Sequence, residues 1–186
     1  YKKIEMLKNG DILVLSGSVP RGIETDIYQN ICKRLEKRDV KIIVDTTGDL
    51  LLKTLEYKPF LIKPNQDELG EIFNVKISNQ EEAIEYAKKL QAKGAKNVLI
   101  SMGSKGAVLI DENNCIYKMK ISNTEKTINT VGAGDSMVAG FIAGYQMFNN
   151  YEKALQMGVA AGTATANSIF LATKEEILKL FREVIF

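Results

Sequence analysis

One run of residues stands out for its chemistry: Asn129-Thr130-Val131-Gly132-Ala133-Gly134-Asp135-Ser136, which leads directly into an apolar helical pattern. Two glycines let the backbone turn tightly and approach a ligand closely. The amide N–H groups at a helix start have no intrahelical partner. Together with the helix dipole they favour an anion such as a phosphate. A carboxylate at Asp135 would stand beside that anion site. It could take a proton from a hydroxyl while the amides stabilise a moving phosphoryl group. The plainer alternative is an acidic residue near a helix start, with small residues for close packing. No Gly-Lys-Ser/Thr follows the glycines, so this is not a P-loop. Nor does it occupy the first strand-helix turn that a dinucleotide-binding fingerprint requires.

Further polar clusters fall between apolar runs. Lys63-Pro64-Asn65-Gln66-Asp67-Glu68 offers a lysine, an amide and a carboxylate. One carboxylate with several retained waters suits Mg²⁺. The same residues also read as a capped helix start. Ser101-Met102-Gly103-Ser104-Lys105-Gly106 joins two predicted strands, and its glycines could serve turn chemistry alone. Gly158 to Asn167 is rich in Ala, Gly and Thr. It either packs closely or leaves room for a flat ring, with Thr163 and Asn167 as polar candidates. Ser16 to Gly22 contains Ser18 and Arg21, and a guanidinium suits phosphate geometry. Asp45-Thr46-Thr47-Gly48 reads most simply as a turn.

These clusters need a scaffold. Strands are predicted at Asp11 to Leu15, Lys41 to Val44, Phe60 to Ile62, Asn97 to Ser101, Ala107 to Ile110 and Cys115 to Ile121. Helices are predicted at Asp26 to Arg38 (capped by Thr25), Leu50 to Leu55, Gln66 to Phe73 and Gln80 to Lys93. Three more follow at Asp135 to Phe148, Tyr151 to Phe170 and Lys174 to Val184. Strands alternating with helices imply an α/β fold, a mainly parallel sheet covered on both faces. In such sheets ligands bind beyond the carboxyl ends of the strands, which is where the polar clusters fall.

Composition narrows the chemistry. The 186 residues contain 25 basic and 23 acidic side chains, for a net charge of +2. That balance gives no electrostatic footprint for nucleic acid or membrane. No stretch reaches the roughly 20 apolar residues of a membrane span, and the start lacks the apolar core of a signal peptide. There is no histidine, so any general base here is Asp, Glu, Lys, Tyr or Cys. Cys32 and Cys115 are isolated and lack metal-ligand spacing; they read as reduced thiols of a cytoplasmic protein.

Asn129 to Ile142 resembles the carboxyl-terminal signature of the ribokinase-like (PfkB) carbohydrate kinases. The resemblance implies a three-layer α/β/α ribokinase-like fold over essentially the whole chain, read as one domain (1–186), the nucleotide-binding part of the kinase. It implies that Asp135 is the catalytic base, also touching the substrate, and that Gly132, Ala133 and Gly134 form the anion hole. Asn65 and Glu68 would organise Mg²⁺ through water, and Lys63 would reach the phosphates of ATP. Ser101, Gly103, Ser104, Lys105 and Gly106 would line the nucleotide, with Thr163 and Asn167. Ser18 would contact the sugar phosphate, and K⁺ would sit at the backbone of Asn129 and Val131. Within the family, the loops at Ser16, Asp45 and Lys63 point to the 1-phosphofructokinase branch, with the tagatose-6-phosphate kinase branch as its competitor. Rivals of other classes are a non-catalytic nucleotide-binding regulatory module and a Rossmann oxidoreductase. Complete relatives are expected to extend further at the amino-terminal side, where a β lid closes over the sugar. The chain is therefore expected to be a truncated part, inactive alone, and to pair as a homodimer through the surface left exposed.

Overall fold

Four apolar segments of the first half form parallel strands in the order β1 (Ile12–Ser16), β2 (Lys41–Asp45), β3 (Leu61–Ile62) and β4 (Asn97–Ser101). The computed structural model describes residues 1–121 and 127–185 and divides into two compact units, Tyr1–Ile100 and Ser101–Phe186. In the first unit, Ile42, Ile43, Val44, Leu61, Ile62, Val98, Leu99 and Ile100 are all buried. Continuous apolar runs of this kind are what a parallel sheet with both faces covered demands. Strand β1 differs: Leu15 is buried, but Val14 is 40% exposed.

Helices α1 (Lys2–Glu5), α2 (Ile27–Leu35), α3 (Gly48–Leu52), α4 (Gln66–Phe73) and α5 (Gln80–Ala92) complete this unit. Helix α2 buries Ile31, Cys32 and Leu35, and α5 buries Ala83, Ala87 and Leu90, each set lying on one helical face. The Asn79 side chain caps α5 by accepting the Glu82 amide at 2.8 Å. Two expectations need correction. Asp26, not Thr25, is the N-cap of α2, and no side chain caps it. The helix expected at Leu50 to Leu55 begins at Gly48 and ends at Leu52. The buried Thr54 hydroxyl donates to the Leu51 carbonyl at 2.7 Å, a local bond that competes with the helical ladder.

The second unit is antiparallel. Strands β5 (Ala107–Ile110) and β6 (Ile116–Ile121) form a hairpin, and β7 (Val184–Ile185) pairs with β6. Asp111 shapes the hairpin turn, its Oδ1 accepting the amides of Asn113 and Cys115 at 2.9 and 2.8 Å. The helices are α6 (Ala133–Phe148), α7 (Tyr151–Ala166) and α8 (Lys174–Phe181). Helix α7 ends four residues before the expected Phe170, and α8 ends at Phe181 rather than Val184. Val184–Ile185 is taken instead by strand pairing with Lys120 and Ile121, a tertiary contact that no local pattern announces.

Helices α6 and α7 pack backbone against backbone. A Cβ on Gly140 would meet the Met157 carbonyl oxygen at 2.6 Å, and one on Gly158 would meet the Met137 carbonyl oxygen at 2.9 Å. Gly158 and Gly162 of the small-residue stretch therefore serve close packing against α6. Among the described residues, no helix is long and apolar enough to cross a membrane.

Candidate active site

In the first unit the carboxyl ends of three parallel strands carry the polar loops. Ser16 of β1 is in register with Asp45 of β2, and Val44 of β2 with Ile62 of β3. The loops are joined: the Gly17 amide donates to the Asp45 carbonyl at 3.0 Å, and the Thr46 hydroxyl donates to the Gly17 carbonyl at 3.0 Å. The Tyr28 hydroxyl lies 2.7 Å from the Ser16 carbonyl oxygen, to which it donates. Ser18 and Arg21 follow in an exposed loop. Lys63 is 5% exposed, and its ammonium lies 3.0 Å from Asp45 Oδ1. The sequence predicts Asp45 only as part of a turn. Parallel register alone brings it to Lys63, and spacing along the chain carries no signal for such a pairing.

Asn65 and Glu68 form a complete capping box. Asn65 Oδ1 accepts the amides of Asp67 and Glu68, both at 2.9 Å, and Glu68 Oε2 accepts the Asn65 amide at 2.8 Å. The capped-helix alternative is therefore present in full. The box uses one carboxylate oxygen of Glu68, Oε2, so a water-mediated role towards Mg²⁺ is chemically compatible with this donor set. Beside it, Gln66 Oε1 is buried without a hydrogen-bond partner. Among the described residues there is no cluster of three or more His, Cys, Asp or Glu side chains able to hold a metal.

In the second unit the glycine turn has the geometry that its sequence implies. Gly132 is the N-cap of α6 with φ 78°, a left-handed conformation that glycine adopts without strain. No side chain caps this helix start. The Ala133 amide donates to the Thr130 carbonyl at 3.2 Å, and the Ser136 amide closes the first helical turn onto Gly132 at 2.8 Å. Of the three amides expected in the anion hole, that of Ala133 is thus already engaged, while among the described residues nothing accepts the Gly134 amide. Asp135 occupies the first turn and is exposed. Upstream, Asn129 Oδ1 accepts the Val131 amide at 3.0 Å. The amides of Ile128 and Asn129 both donate to the Ala166 carbonyl, at 2.8 and 3.1 Å. The polar loop before them lies partly outside the described residues.

The remaining predicted residues belong to the same unit. Ser101 ends β4, and Gly103–Lys105 form a single 3₁₀ turn, in which the Lys105 amide donates to the Met102 carbonyl at 3.1 Å and the Gly106 amide to the Gly103 carbonyl at 3.0 Å; the Met102 amide in turn donates to the Gly106 carbonyl at 2.9 Å. Gly103, Ser104 and Lys105 are exposed. Thr163 and Asn167 lie one helical turn apart at the end of α7, both partly exposed, with the Asn167 amide donating to the Thr163 carbonyl at 3.0 Å. Two further residues make contacts here that no local sequence pattern announces. The Thr165 hydroxyl donates to Ser136 Oγ at 2.8 Å, and a Cβ on Gly132 would meet Leu171 Cδ2 at 2.8 Å.

An uncapped helix start, opened by a glycine in the left-handed region and carrying an exposed carboxylate in its first turn, can chemically accommodate an anion beside that carboxylate. Residues 2–175 match the model of the pfkB family of carbohydrate kinases. The chain belongs to this family. It is 42% identical over 183 residues to the 1-phosphofructokinase of Bacillus subtilis strain 168, covering 98% of this chain and 60% of that protein. Among solved structures it resembles phosphofructokinase-2 of Escherichia coli in complex with potassium, with TM-score 0.89 and 29% identity over 97% of this chain and 59% of the other. The ribokinase of Arabidopsis thaliana shares the fold, with TM-score 0.81 at 23% identity over 97% of this chain and 59% of the other. The ribokinase-like fold, mixed but mostly parallel in its sheet, is thus as expected. The chain spans about 60% of the length of the 1-phosphofructokinase that it matches.

Proposed function

We propose that this pfkB-family chain carries the phosphoryl-transfer machinery of an ATP-dependent 1-phosphofructokinase acting on fructose 1-phosphate in the cytoplasm. One observation supports the reading above all: Asp135 sits in the first turn of a helix whose start is uncapped and opened by Gly132. In this reading Asp135 accepts the proton of the sugar hydroxyl at carbon 6, and the resulting oxygen attacks the terminal phosphorus of ATP as its bond to the bridging oxygen breaks and ADP leaves. The amides at Gly132 and Gly134 stabilise the charge on the moving group. Lys63, held by Asp45, supplies positive charge towards the nucleotide phosphates. Asn65 and Glu68 hold water around Mg²⁺, which would neutralise phosphate charge when bound. The Ser101 to Gly106 turn, Thr163 and Asn167 flank the nucleotide, and Ser18 contacts the sugar phosphate. The backbone at Asn129 and Val131 would take K⁺.

The whole protein is needed for turnover in this reading, because a lid must exclude water and complete the sugar site. The test is a comparison of wild type and Asp135→Asn in the complete protein. Loss of at least ~10²-fold in kcat, with MgATP affinity retained, is expected from removal of a general base. Retention of most of the rate would reject Asp135 as the base. A parallel screen of fructose 1-phosphate against tagatose 6-phosphate decides the sugar.

A further inference from the structure

At the end of α7, Thr165 is 2% exposed, and its hydroxyl is used in two directions at once. It donates to Ser136 Oγ at 2.8 Å and accepts the Ala172 amide at 3.2 Å. Ser136 directly follows Asp135 in the first turn of α6. Ala172 ends the segment whose Leu171 side chain lies against Gly132. The neighbouring Ala166 carbonyl accepts the amides of Ile128 and Asn129, which lead into the glycine turn. Both ends of that turn are therefore fastened to the last residues of α7.

A threonine inside a helix ordinarily returns its hydroxyl proton to a carbonyl of the preceding turn. Here the proton goes to another helix. Packing does not require this: a valine has the same shape, so the hydroxyl is the feature in need of a reason. A hydroxyl has one proton and two acceptor positions, and the single proton is committed to Ser136. We propose that Thr165 is a positioning residue for the anion-binding turn, fixing the Asp135-bearing first turn of α6 against α7 and the Ser168–Ala172 segment through its hydroxyl. It touches no substrate, and it rests on the reading of Asp135 as the base. Displacements of about 1 Å in reacting groups cost up to roughly 10²-fold in rate, so a lost tether at this point should be visible in turnover.

The experiment compares Thr165→Val and Thr165→Ser in the complete protein by steady-state kinetics and by amide hydrogen exchange without ligands. Thr165→Val should lower kcat by ~10- to 100-fold while KM for both substrates stays within about 3-fold, and Thr165→Ser should keep kcat within about 3-fold of wild type. In the same Val variant, exchange of the Gly132 to Met137 amides should speed by ~10-fold or more, with the Ser variant unchanged. If Thr165→Val does not fold, Ser136→Ala removes the same bond from its other end and should give the same pattern. A Val variant with unaltered kcat and unaltered exchange at the turn overturns the proposal, as does a Ser variant that behaves like Val. Should Asp135→Asn stay active, the assignment of the base falls, and the exchange comparison still decides the role of Thr165.

Discussion

The Lys63 ammonium lies 3.0 Å from Asp45 Oδ1, with the two side chains only 6% and 14% exposed. The pair joins the carboxyl ends of β2 and β3, and Asp45 is in register with Ser16 of β1. The buried Lys63 ammonium therefore holds the largely covered Asp45 carboxylate at the carboxyl end of the sheet, where the polar loops emerge.

Breaking this pair from one side leaves an uncompensated buried charge. Asp45→Asn should lower unfolding stability by about 3–5 kcal/mol in urea titrations, and Asp45→Asn combined with Lys63→Met should recover much of that loss. Equal losses in the single and double variants would show that the two charges are not coupled.

The α4 capping box sets a smaller stability effect. Asn65→Ala removes the acceptor of two amides and should cost about 1 kcal/mol in thermal or urea unfolding. Glu68→Gln keeps an oxygen for the Asn65 amide and should cost less. In the complete protein it should nevertheless raise the Mg²⁺ concentration needed for half-maximal rate. A Glu68→Gln enzyme with an unchanged Mg²⁺ requirement would leave Glu68 a capping residue and nothing more.

Helices α6 and α7 tolerate no added methyl at their crossing. Gly140→Ala would place a Cβ 2.6 Å from the Met157 carbonyl oxygen and 2.7 Å from the Ala161 Cβ. Backbone atoms cannot yield cheaply, so a loss of about 1–3 kcal/mol is expected in unfolding titrations, despite the better helix propensity of alanine. A stabilised variant would mean that the two helices can separate without cost.

Burial pushes the Cys32 thiol from 9.0 up to about 12, whereas Cys115 is exposed. Folding keeps Cys32 protonated where the unfolded chain would ionise. Its contribution to stability is thus complete below pH ~9 and falls as pH rises towards ~12. Cys32→Ala should remove this part of the alkaline decline, measured as the difference in unfolding free energy between pH 8 and pH 10.5. A thiol reagent should label Cys115 quickly in the native protein and Cys32 only on unfolding.

Much of the chain could be read from its sequence, because the signals involved are local. Buried parallel strands require unbroken apolar runs, and these marked β2 and β4 within a residue of their ends. Caps and glycines marked α4 and α5 in the same way, and the run from Gly132 to Asp135 carried both its conformation and its candidate chemistry. Only the tertiary structure decided the rest. Lys63 meets Asp45 through strand register, Thr165 meets Ser136 across two helices, and Val184–Ile185 becomes a strand by pairing with β6. Each joins residues at least 18 positions apart, where the chain's own periodicity fixes neither partner nor distance. Such contacts follow from how elements pack, and helical or strand spacing specifies only which face an element turns inward.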